Sequence, residues 1–160
     1  MKYRSIGIVF VVACAGIVLL ALPGLTASKP ANHVESARTV EDRAIQKFEQ
    51  GRHIFRFDTF GDEAFWGDSL KLHQAIEGSK FGGVGDGVSP NTALSVGMKV
   101  DVDALPQSLI DQLKNGQVDL DDPAVTLTLL QLNSVVGVTG LFNSDGSLKS
   151  VGIQCALCHS

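Results

Sequence analysis

Between Thr39 and Gly78 the apolar positions recur with helical spacing, and this pattern organises most of the chain. Thr39 followed three residues later by Asp42 has the form of a capping box, and Val40, Ala44, Ile45 and Phe48 then line one face. Gly51 is the expected stop of this first helix. A short extended piece is predicted over residues 54–57, within the aromatic run His53-Ile54-Phe55-Arg56-Phe57-Asp58-Thr59-Phe60. A second helix is predicted over residues 62–77, with Leu70, His73 and Ile76 on one side. The glycine-rich stretch 81–90 reads as loop.

Further along, Leu105, Leu109, Ile110 and Leu113 share a helical face over residues 104–115, with Gly116 as a natural stop. Asp122 followed by Pro123 marks the cap and first position of another helix, running to Asn133. Residues 135–142 look extended or irregular, and Asn143-Ser144-Asp145-Gly146 is a turn signal. The fold class is therefore mainly α: a helical domain over 39–150 leading into a C-terminal motif at 151–160. There is no internal repeat.

The N-terminus has a different character. Lys2 and Arg4 precede an uncharged run from Ile6 to Leu22, then Pro23, Gly24 and the small-residue region Thr26-Ala27-Ser28. This is the order of a secretory signal. Residues 1–27 are expected to be a signal peptide or, uncleaved, a membrane anchor, since about 17 apolar residues sit at the lower limit for spanning a bilayer. Val11-Val12-Ala13-Cys14 loosely resembles a lipobox, but the apolar run continues beyond Cys14, which reads better as one more small apolar residue. Residues 28–38 are polar and aperiodic and read as a linker. The location implied is exported, in the periplasm or anchored at the periplasmic face of the inner membrane.

Composition sharpens this reading. The 160 residues are 44% hydrophobic and 19% charged, which suits a globular domain, and the net charge is −4. Loss of residues 1–27 removes Lys2 and Arg4 from the 13 basic residues and leaves all 17 acidic ones. A mature acidic surface disfavours nucleic acid. Of the three cysteines, Cys14 falls in the export segment and the other two lie together at the C-terminus, so no disulfide framework is expected.

Those two form Cys155-Ala156-Leu157-Cys158-His159, the attachment pattern of c-type haem. Cysteines three apart can each form a thioether to a haem vinyl group from one turn, and the adjacent histidine reaches the iron as an axial ligand. The chemical rival is a thioredoxin-like dithiol, which expects a strand before the pair and a long helix after it, and the sequence pattern supplies neither well. Zinc is a weaker fit, because Cys155, Cys158 and His159 are too clustered for an ordinary tetrahedral set. The main alternative to haem, ahead of the dithiol, makes residues 39–142 a non-redox extracytoplasmic interaction domain that binds a partner.

Three runs resemble the c-type cytochromes, in particular the opening of larger bacterial cytochrome c-like proteins where a helical extension precedes the first haem motif. They are residues 54–66 (Ile54 to Trp66), 97–102 (Gly97 to Val102) and 152–160 (Gly152 to Ser160). The resemblance implies covalent haem c on Cys155 and Cys158, His159 as the proximal iron ligand, and a redox partner protein. In that family the chain continues past the motif to bury the porphyrin and supply a distal ligand, so an N-terminal portion of a longer protein is the expectation here, ahead of a partner chain that completes the pocket or a vestigial motif. The larger family includes peroxidase and dehydrogenase fusions, which leaves enzymatic activity of a longer parent open.

Met98, His53 and His73 are upstream candidates for a distal ligand, each with a plainer reading as a packing residue. His33 falls in the linker. The loop Gly82-Gly83-Val84-Gly85-Asp86-Gly87 does not read as a nucleotide loop: no strand leads in, no lysine follows at the required spacing, and Pro90 is expected to keep a helix from starting close behind. Asp119, Asp121 and Asp122 lack the glycine and terminal glutamate of a calcium loop. No hydrolytic constellation stands out.

Overall fold

The computed structural model describes residues 31–159, with side chains from Ser36 onward. The expected signal or anchor at 1–27, residues 28–30, the side chain of His33, and Ser160 lie outside the described residues. The chain divides into two units at Thr39/Val40. Of the first, the described part is the opening of helix α1 (Ala31–Phe57).

The fold is mainly helical with two small antiparallel sheets. After α1 come a π-helical turn at Phe65–Ser69, α2 (Leu72–Glu77), α3 (Pro90–Ser95), β1 (Lys99–Val100), α4 (Gln107–Lys114), α5 (Pro123–Gln131), β2 (Val135–Val136), β3 (Val138–Phe142), β4 (Leu148–Ile153) and α6 (Ala156–His159). β1 pairs with β2, Val100 opposite Val135. β3 and β4 form a hairpin with Val138 opposite Ile153 and Gly140 opposite Val151, shifting register at Leu141/Phe142. Leu105, Leu129, Leu130, Val135, Leu148 and Val151 form the buried core. Among the described residues, no helix is long and apolar enough to cross a membrane.

Several local signals act as their chemistry predicts. The Asp122 carboxylate accepts from Ala124 N at 3.1 Å and Pro123 opens α5. α4 falls within 104–115 and Gly116 follows it at φ +65°. The turn at 143–146 joins β3 to β4, with Asp145 accepting from Ser147 N and Oγ at 3.0 and 2.6 Å.

Other expectations are corrected. α1 begins inside the stretch read as a linker, passes through Gly51, and includes residues 54–57, read as extended. Gly51 meets no other atom within 4 Å of where its Cβ would be, and a solvent-exposed glycine lowers helix stability without dictating an end. The helix predicted over 62–77 is broken. Leu70 N donates to Phe65 O at 3.0 Å, one residue wider than an α turn, and Lys71 takes a left-handed conformation at φ +52° before α2 starts. The widened turn sets Gly67 against β4, where a Cβ would meet Ser150 Oγ at 2.7 Å. Pro90 opens a helix instead of forbidding one: Ser89 caps Thr92 N at 3.2 Å, and a proline at the first position lacks only an N–H that would have no partner.

β4 was not anticipated. Leu148, Ser150, Val151 and Gly152 are all buried, so the alternation that advertises a half-exposed strand is missing. Its start is held by Glu77, 5% exposed, whose carboxylate accepts from Leu148 N at 2.7 Å.

Candidate functional site

β4 delivers the chain directly into the Cys-x-x-Cys-His turn. The residue between strand and motif is Gln154, fully buried and saturated with hydrogen bonds. Its Oε1 accepts from Gly137 N at 3.0 Å and from Arg56 Nη1 at 3.2 Å. Its Nε2 donates to Thr139 Oγ1 at 2.5 Å, and its backbone N donates to Gly137 O at 3.0 Å. One side chain therefore ties the end of β4 to the start of β3 and to the end of α1.

Arg56 extends the network. Its Nη2 donates to Asp101 Oδ2 at 3.3 Å and to Asn133 O at 3.2 Å, and the guanidinium lies 4.7 Å from the Phe57 ring centroid. The ion pair is mostly enclosed, with side chains 16% and 28% exposed. Its planar fork serves three acceptors on three segments, an arrangement a lysine would not reproduce.

The segment after α1 buttresses the same strand. Phe60 N donates to Ile153 O at 2.9 Å, Asp62 Oδ1 accepts from Ile153 N at 3.1 Å, and Thr59 bridges Gln154. Ser150 Oγ donates to Glu63 O, and Thr59 Oγ1 donates to Glu63 Oε1. Gly152 fits this closeness, since a Cβ would fall 2.5 Å from Thr59 Cγ2 and 2.9 Å from Thr59 Cβ. The runs 54–66, 97–102 and 152–160 thus meet at one place, through Arg56, Asp101 and Gln154.

Beyond Gln154, Ala156 is fully buried and anchors α6, while Cys155 is half-buried and Cys158 and His159 are exposed. Both cysteines are free thiols. Gly137, at φ +91°, lies beneath the turn, where a Cβ would come within 2.6 Å of Leu157 N and Cβ. The donor set fits haem c: two free thiols three apart and an imidazole next to the second, on one turn held from below. Among the described residues, no group of three His, Cys, Asp or Glu is placed to hold a metal ion.

The distal candidates go elsewhere. Met98 packs against the hydrophobic core. His53 is on α1, 3.9 Å from Asp58, with its side chain 69% exposed. His73 is half-buried on α2, its Nδ1 buried without a hydrogen-bond partner. Of the two features the dithiol reading expects, the strand before the motif is present as β4, contrary to the sequence reading, whereas the helix after it, α6, has four described residues.

Sequence reasoning did not single out Gln154, Arg56 or Asp101. Gln154 had a legible signal: an amide among Val151, Gly152, Ile153, Cys155 and Ala156 must be satisfied if that run is buried.

No protein-family model, curated protein or solved structure matches the chain.

Proposed function

We propose that the protein is an exported haem c-binding electron carrier. Cys155 and Cys158 would hold the haem through thioethers and His159 would ligate its iron, the group supplying a one-electron iron couple to a redox partner protein. The observation that carries this reading is the complete Cys-x-x-Cys-His turn, with free thiols, directly after the buried Gln154 anchor. The protein's own contribution is positional. Gln154 and Gly137 hold the turn from below while Cys158 and His159 face outward.

The test is a pyridine haemochrome spectrum on protein made with haem-maturation machinery and separated by denaturing electrophoresis. Haem retained on the band, and lost in Cys155→Ala/Cys158→Ala, is the expected result. A colourless band from the unsubstituted protein overturns it.

A dithiol oxidoreductase is the second reading, favoured by one observation: strand β4 leads directly to Cys155. It predicts reversible disulfide formation between Cys155 and Cys158, with a measurable thiol–disulfide potential.

A further inference from the structure

Helix α1 is exposed along its whole length from residue 40 to 55. At about 100° per residue, Val40, Ala44, Phe48, Gly51 and Phe55 fall within one arc about 80° wide. Val40, Phe48 and Phe55 are 65%, 64% and 38% exposed there. Arg56 and Phe57, the first half-buried residues of the helix, lie more than about 100° around it from the middle of that arc. α1 therefore meets the rest of the molecule on another side, and the apolar arc is left open.

Charge is arranged around the arc in a consistent way. Lys47 borders one edge, with Arg43 beyond it, and Arg52 borders the other. Lys47, Phe48, Gly51, Arg52 and Phe55 together line one recess, and the Arg52 guanidinium lies 5.9 Å from the Phe48 ring centroid. Glu49, 3.3 Å from Arg52, and Asp42 are on the far side, while Glu41 stands beside the arc at its first turn. Residues 58–160 carry 13 acidic side chains against five lysines and no arginine. The cations flanking the arc thus belong to an otherwise acidic body.

This pattern opposes a second copy as the occupant. With Ala44, Phe48, Gly51 and Phe55 as the seam of a helix pair, Lys47 and Arg52 take the flanking positions, and pairing in either direction sets cation against cation. A bilayer suits it better. Phenylalanines enter the headgroup boundary, the stems of Lys47 and Arg52 lie along apolar surface, and their charged ends reach lipid phosphates. A protein groove would have to match a ridge of alternating large and small side chains, whereas lipid deforms around it.

We infer that α1 docks on anionic lipid, lying in the bilayer interface with Phe48 and Phe55 buried and Lys47 and Arg52 on phosphate groups. The docking is independent of the haem reading.

The test is hydrogen exchange, read by mass spectrometry over residues 40–55, on the 160-residue chain mixed with vesicles. These are made of phosphatidylcholine alone or with about one-third phosphatidylglycerol. The apolar run from Ile6 to Leu22 lies outside the segment read, so its own insertion does not enter the readout. Exchange over 40–55 should slow on the anionic vesicles only, and about 0.5 M salt should reverse the slowing. Lys47→Gln/Arg52→Gln should weaken docking by about fivefold per charge removed. Phe48→Ser/Phe55→Ser should weaken it by about tenfold or more. Equal exchange on the two kinds of vesicle overturns the proposal on the unsubstituted chain, whether or not a variant folds. Protection that appears without lipid as protein concentration rises also overturns it, and assigns the face to a second copy. Protection that soluble polyglutamate reproduces, and that survives Phe48→Ser/Phe55→Ser, overturns it in favour of an acidic protein.

Discussion

Strand β4 and the portion of α1 from residue 40 to 55 both carry large apolar side chains and meet opposite fates. Every α1 residue in that span is exposed, including Val40 at 65%, Ile45 at 54% and Phe48 at 64%. In β4, Leu148 and Val151 are 2% and 1% exposed, and the strand buries Ser150 and Gly152 with them. Periodicity reports that a segment can form a helix with an apolar face. It does not report what that face will meet. Burial of β4 depends on small and polar residues matched to particular neighbours, and that matching fixes the place of the Cys-x-x-Cys-His turn.

The largest effect should come from Gln154→Ala. Truncation leaves the buried Gly137 N–H without an acceptor and takes a partner from Arg56 and from Thr139. Buried polar groups left unpaired cost about 1–3 kcal/mol each, so a loss of roughly 3–4 kcal/mol in urea unfolding is expected. Gln154→Glu retains an acceptor for Gly137 N and Arg56 and should recover part of the loss. A cost for Gln154→Ala under about 1 kcal/mol would mean the anchor is not what holds β4.

Gly137→Ala comes next. The left-handed backbone and the approach to Leu157 both oppose a side chain. Strain of this kind costs about 1–3 kcal/mol. Because α6 must shift to admit the methyl group, the haem c proposal predicts that attachment in the same variant falls more than stability alone would explain. Equal losses in both measurements would separate the turn's position from its chemistry.

These two sites show what was readable in the chain. The α5 cap at Asp122-Pro123, the α4 stop at Gly116 and the turn at 143–146 are local chemistry, and they are found where short-range rules put them. The π turn at Phe65–Ser69, the left-handed Lys71 and the strand β4 are consequences of packing between residues some 80 positions apart, such as Gly67 and Ser150. No window of sequence contains both partners. Within the candidate site, Cys155, Cys158 and His159 are proposed on their spacing, and the structure adds that they share one turn after Gln154. Arg56 and Asp101 were not legible, because each looks like an ordinary surface charge until the fold brings them together with Gln154.

A smaller effect is expected at the hairpin turn. Hydrogen bonds from the Ser147 hydroxyl and backbone N hold the Asp145 carboxyl below its ordinary 3.8. A depressed folded-state value means the ionised form is favoured by folding. Its contribution is complete above the unfolded value and disappears as pH falls through the lower folded one. Asp145→Asn keeps an oxygen for Ser147 N and removes only the charge. The variant should trail the parent slightly at pH 7 and converge with it in strong acid. A gap that widens on acidification would reverse the assigned sign.

Phe48→Ser should change least. Phe48 is a large apolar side chain in the middle of α1, and by sequence pattern alone its loss would be expected to cost as much as a core deletion, about 3–5 kcal/mol. Its surroundings argue otherwise: it is 64% exposed, and the Arg52 guanidinium lies 5.9 Å from its ring centroid. Serine and phenylalanine differ little in helix propensity, so the urea midpoint should stay within about 0.5 kcal/mol of the parent. A loss of core size that grew with protein concentration would mean that copies of the chain cover this face in solution, and the contrast between α1 and β4 would then be one between intermolecular and intramolecular burial.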